Sequence, residues 1–111
     1  MKLLGITTVA LTAAAIGFAA PANAEIDTDF ANTLHTYGIY GQRDYNAWIA
    51  KIACKRLRIG QDKDAYQSAA FIGKQLDRTT QTDQVWKFLG LTVDTYCPDQ
   101  QPVLARAAEQ H

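Results

Sequence analysis

Apolar positions along this chain recur at helical spacing, and no stretch alternates with the period of two that a half-buried strand requires. After an apolar run from Leu3 to about Ala20, Phe30, Leu34 and Tyr37 fall at i, i+4 and i+7. Asp27 or Thr28 is placed to cap that first helix, and Gly38-Ile39 to end it in a left-handed turn with a hydrophobic contact behind it. A turn at Gly41 leads to a second helix, capped by Asp44 and running to Gly60. Asp62 then stands ahead of a third, with Ala65, Ala69, Ile72 and Leu76 on one face. Thr80 or Thr82 opens the last long helix, where Val85, Leu89, Val93 and Tyr96 share a face and Pro98 stops the pattern. Asp27, Asp44, Asp62 and Asp83 thus read as first-turn residues, not as acids for catalysis or calcium. The tail after Pro102 predicts at most a short helical piece and a fraying end from about residue 99. The expectation is an all-α fold, a small bundle of about four helices.

Projecting the second helix at about 100° per residue identifies it as the central one. Tyr45, Ile49 and Ile52 lie together with Trp48 beside them, and Ala47, Ala50, Cys54 and Leu57 lie on the other side. Lys51, Lys55 and Arg58 fill the narrow sector left over. Cys54 therefore sits on a small-residue face near the helix end, where a neighbour can approach closely.

The opening apolar run changes the picture, because Lys2 precedes it and Ala22-Asn23-Ala24 follows it. That order is a secretory signal with an A-x-A cleavage site, so residues 1–24 are expected to be removed and 25–111 to form one helical domain. No transmembrane segment is then left, and Glu25 in place of a cysteine gives no lipid attachment point. The expected location is the medium or the cell envelope. A domain this small has a marginal core and needs a covalent or metal staple.

Two cysteines, Cys54 and Cys97, are available for that staple. They form no CxxC motif and have no histidine close by in sequence, and a zinc site would lack ligands. In an exported chain the reading favoured over reactive or metal-binding thiols is one structural disulfide. Basic and acidic residues balance at 11 each, so no field points to nucleic acid. Ser68 is the only serine, and His35 and His111 are the only histidines. A nucleophile, base and orienting group cannot be assembled from that inventory, so no catalytic or metal residues are assigned and a non-enzyme is expected.

An Ala-x-Ala signal, a first helix of the form D-x-x-F-x-x-x-L ending in Tyr37-Gly38-Ile39, a central helix ending in Ala53-Cys54 and a last helix ending in Tyr96-Cys97-Pro98 occur in that order. Together they resemble the small exported mycobacterial proteins of domain-of-unknown-function family 732, over essentially Asp27 to Pro98. The resemblance implies actinobacterial origin, export, an all-helical fold and pairing of Cys54 with Cys97. It implies no catalytic residue.

Three clusters remain as binding candidates. His35, Tyr37, Tyr40, Tyr45 and Trp48 crowd fifteen residues and read either as a pocket for haem or another small hydrophobic ligand, or as packing at the join of the first two helices. Lys51, Lys55 and Arg58, joined by Arg56, read as a solvated face or as a contact for anionic headgroups or envelope polymers. Phe71, Phe88 and Leu91 fall off the main apolar faces and, if left uncovered, form a partner patch. The function expected is an exported binding module for an unidentified protein or envelope component, with no resident cofactor. A haem or small-ligand carrier is the alternative.

Overall fold

The computed structural model describes residues 24–109; residues 1–23, which carry all but Ala24 of the expected signal, and the last two residues, including His111, lie outside the described residues. Every regular element among the described residues is helical. Helix α1 occupies 24–36, followed by α2 (Arg43–Arg58), α3 (Ala65–Gln75) and α4 (Thr82–Tyr96). A 3₁₀ turn (Pro98–Gln100) then leads into α5 (Gln101–Glu109).

Helices α2, α3 and α4 pack mutually, with α1 laid against α4 and α5 returning over α3 and α4. Apolar side chains at helical spacing converge on one core, among them Phe30, Leu34, Ile49, Ile72, Phe88, Leu89 and Val93. Helix α2 is central, but it buries the side carrying Ala47, Ile49, Ala50, Ala53, Cys54 and Leu57. Tyr45 and Trp48 face outward, 45% and 51% exposed.

The disulfide expected between the helix ends is formed. Cys54 and Cys97 are bonded with Cα atoms 5.8 Å apart, and both are buried. Beyond it, Pro98 stops α4 and supplies the first residue of the 3₁₀ turn, which Gln100 N–H closes on the Cys97 carbonyl. The short helical piece predicted after Pro102 is a nine-residue helix, with Ala107 buried and Val103 and Leu104 packed on the core.

Several predicted caps fall elsewhere. Helix α1 is already helical at residue 24, so Asp27 and Thr28 lie within it, and the Thr28 hydroxyl donates to the Ala24 carbonyl. Gln42 stands at the N-cap of α2, with Asp44 in its first turn. Asp64, not Asp62, caps α3 by accepting from Gln67 N–H at 2.9 Å. Gln81 and Gln84 form a reciprocal capping box that opens α4, in whose first turn Asp83 lies.

Gly38 ends α1 with φ +80°, and a Cβ there would stand 2.9 Å from Gln84 Nε2. That amide donates to the Tyr37 carbonyl at 3.0 Å, tying the α1 terminus to α4. Gly38 thus suits its left-handed backbone, and a Cβ there would press on the flexible end of Gln84.

Candidate binding groove

Trp86 and Gly90 stand one turn apart on α4, and Leu104, Ala107 and Ala108 fall at i, i+3 and i+4 on α5. Between them runs an apolar groove of about 460 Å³. A Cβ built at Gly90 meets nothing within 4 Å, so the helix wall there is open. Trp86 is half-buried and stands edge-on to Tyr66, ring centroids 5.2 Å apart. The same indole also lines a cleft of about 370 Å³ between α3 and α4, together with Ala69, Ala70, Gly73 and Val85. Trp86 is therefore a shared wall.

Helix α5 forms its side of the groove with Ala107 buried and Leu104 packed on the core. At its start, Arg58 of α2 donates to Asp99 through Nε at 3.2 Å and through Nη2 at 2.7 Å. These bonds hold the Asp99 carboxyl well below the usual carboxylate range and raise the Arg58 guanidinium above its ordinary value. Near its end, the Tyr66 hydroxyl donates to the Ala107 carbonyl at 3.5 Å.

The clusters expected from sequence are arranged differently. Phe88 is 0% exposed and packs edge-to-face on Phe30, centroids 5.5 Å apart, so it belongs to the core and not to a surface patch. The reason is α1, which covers the part of α4 that sequence periodicity left unpartnered. Phe71 is half-buried beneath the Arg56 guanidinium, 4.3 Å from its ring centroid. Leu91, also half-buried, lines a separate cleft with Ile26, Phe30 and Thr33. The proposed patch is thus split among the core and two surfaces.

The aromatic cluster forms two ring pairs, His35 with Tyr40 at 5.5 Å and Tyr45 stacked on Trp48 at 5.9 Å. Tyr37 lies beneath Lys87. Tyr40, 73% exposed, lines a small cleft of about 160 Å³ with Asp77, Thr80 and Gln84, and Tyr45 donates to the Gln75 carbonyl. Among the described residues, no ring contact joins the two pairs.

The basic row is taken up by partners. Lys51 donates to Asp27 at 3.2 Å, Arg58 holds Asp99, and Arg56 grips the buried Asp62 through two nitrogens. Among the described residues, Lys55 alone of the four enters no ion pair. Asp27 also accepts the Tyr96 hydroxyl at 2.5 Å, and Lys51 Nζ lies 5.6 Å from the Tyr96 ring centroid. Burial, then the bond to Asp27, push the Tyr96 phenol well above its usual range. A phenol so firmly protonated serves as a donor joining α1 to α4. Among the described residues, no three His, Cys, Asp or Glu side chains cluster to hold a metal ion, and no helix is long and apolar enough to cross a membrane.

The family model described as "Protein of unknown function (DUF732)" matches residues 26–99, from the first turns of α1 through the disulfide to the 3₁₀ turn. The chain belongs to this family. It is 52% identical over 100 residues to two Mycobacterium tuberculosis proteins, "Uncharacterized protein Rv0559c" of strain H37Rv and "Uncharacterized protein MT0585" of strain CDC 1551. Each alignment covers 89% of this chain and 89% of the relative. No solved structure matches. The DUF732 stretch supplies Trp86 and Gly90, whereas the α5 wall of the groove lies beyond it. Sequence reasoning missed the groove because its second wall was read as at most a short helical piece in a fraying tail, and Leu104, Ala107 and Ala108 become a stripe only once α5 is a helix.

Proposed function

We propose that this DUF732 protein is an exported, non-enzymatic binding module of the envelope or medium that captures an apolar partner in the groove between α4 and α5. The observation that carries the reading is the groove itself, apolar on both walls, with open space at Gly90. Concave apolar surfaces on small domains are where ligands and partners most often seat. The packing of Leu104 and Ala107 on the core supports it, because a wall already docked presents a preformed site and lowers the ordering cost of binding.

Hydrogen exchange tests the reading. The folded protein is compared with and without a mycobacterial envelope extract. Protection should concentrate on amides of 86–90 and 104–108 and be lost in Gly90→Leu, which fills the groove without adding charge. Unchanged exchange at those amides, or protection indifferent to Gly90→Leu, would remove the groove as the site.

A further inference from the structure

Exposed large apolar side chains gather on one helix. Tyr45, Trp48 and Ile59, the last 63% exposed, all belong to α2 and its C-cap. With the half-buried Ile52 they fall at i, i+3, i+7 and i+14, within about 60° of one another at about 100° per residue. This strip faces away from Ala50, Ala53 and Leu57, which seat the helix in the core. Lys51, Lys55 and Arg58 flank it on one side and Arg56 on the other. From Tyr45 to Gln61 the chain carries no acidic residue. Other elements supply Asp27, Asp62 and Asp99 to pair with Lys51, Arg56 and Arg58, and Lys55 keeps its charge unpaired among the described residues. The strip is a ridge, since Tyr45, Trp48, Ile52 and Ile59 line none of the four clefts described above.

We infer that the outer face of α2 lies on an anionic phospholipid bilayer, with Trp48, Ile52 and Ile59 at the acyl boundary and Lys55 among the phosphates. A fluid surface closes around a ridge, whereas a protein partner would have to supply a matching trough. Tyrosine and tryptophan, apolar rings with a polar edge, favour the headgroup layer. The Tyr45 hydroxyl already donates to the Gln75 carbonyl at 2.9 Å and its ring stacks on Trp48, so both rings can leave water together. Lys55 can lay its stem along the strip while its ammonium stays at the phosphates. The rise from Tyr45 to Ile59 is about 21 Å, so α2 lies along the surface and does not cross it. The surface uses none of the lining of the α4/α5 groove, and the inference does not rest on the groove.

The test uses the exported chain, its start at Glu25 verified by mass so that the apolar run from Leu3 contributes nothing. Trp86→Phe leaves Trp48 as the remaining one of the two tryptophans. Vesicles of phosphatidylglycerol and phosphatidylcholine in equal parts should shift Trp48 emission to the blue. Acyl chains brominated near the headgroup should quench that emission more than chains brominated near the methyl end. Lys55→Gln should weaken partitioning into these vesicles about fivefold, the contribution of one basic residue at an anionic surface, and leave binding to phosphatidylcholine alone unchanged. Ile59→Ser should weaken partitioning into both about tenfold. Both side chains are exposed, so helix content and urea midpoint should stay as in the parent. No shift with the anionic vesicles overturns the inference, and equal binding to both vesicle types overturns the role of charge. A dimer in sedimentation that Trp48→Ser dissociates, with no vesicle binding, would give the face to a second copy of the chain and overturn the bilayer as its occupant.

Discussion

Asp62 is 4% exposed, so its charge is stable only through the groups that surround it. Arg56 Nε and Nη2 reach it at 3.0 and 2.9 Å, and the Ser68 hydroxyl donates to it at 2.9 Å. The left-handed Gly60 turns the chain back so that Asp62 N–H also meets the Arg56 carbonyl. The α2–α3 loop is built around this carboxylate. Removing one member of a buried ion pair leaves the other uncompensated, so Asp62→Ala should cost about 3 kcal/mol. Ser68→Ala, which deletes one hydrogen bond, should cost only about 1 kcal/mol. Urea unfolding midpoints of the two variants check this, and equal losses would show that the arginine pairing is not the dominant contact. Phe88 sits at the same scale, fully enclosed and edge-on to Phe30. Phe88→Ala should destabilise by about 3–5 kcal/mol, seen as an earlier urea midpoint, and a loss under about 1 kcal/mol would contradict its core placement.

At the scale of elements, α1 is attached by its buried face and by the Tyr96–Asp27–Lys51 cluster. The folded phenol titrates above its unfolded value near 10, so folding binds a proton that the unfolded chain has released. The stability it contributes is therefore complete below about pH 10 and is lost as pH rises through the higher folded value. Alkaline titration should loosen α1 in that window, with Phe30 and Leu34 amides exchanging faster. Tyr96→Phe should remove the pH dependence, and its persistence in that variant would assign it to another group. Helix α5 depends on exposed partners instead. The Arg58–Asp99 bonds lie at the surface, where an ion pair adds little to global stability, and they act by setting where α5 begins.

For the whole molecule, the disulfide joins residues 43 positions apart and draws the C-terminal ends of α2 and α4 together. A loop of that length restricts the unfolded chain by about 4 kcal/mol in the chain-entropy treatment. Total stabilities of about 5–15 kcal/mol are usual for whole domains, so the bridge is a large fraction of what holds this one. The Cys54→Ala, Cys97→Ala double variant should lose about 4 kcal/mol in urea and release α5, since the 3₁₀ turn that launches it starts beside Cys97. A loss under about 1 kcal/mol would mean that the unfolded state is compact without the bridge.

Sequence by itself determined what is local or combinatorial. Apolar spacing of 3.6 defined α2, α3 and α4, Gly38 and Pro98 marked where α1 and α4 end, and two cysteines with no competing ligand set allowed one pairing. The family resemblance followed from the same residues. Tertiary structure decided what depends on which faces meet. Whether Phe88 is core or surface turns on α1 crossing α4, and whether Asp62 caps a helix or fills an ion pair turns on the path after Gly60. The tail from Gln101 folds because Ala107 and Leu104 find α3 and α4 beneath them, and a nine-residue helix has too little intrinsic stability to be read without that contact. The groove belongs to the same class, being the space that α4 and α5 leave between them at Gly90 once both are in place.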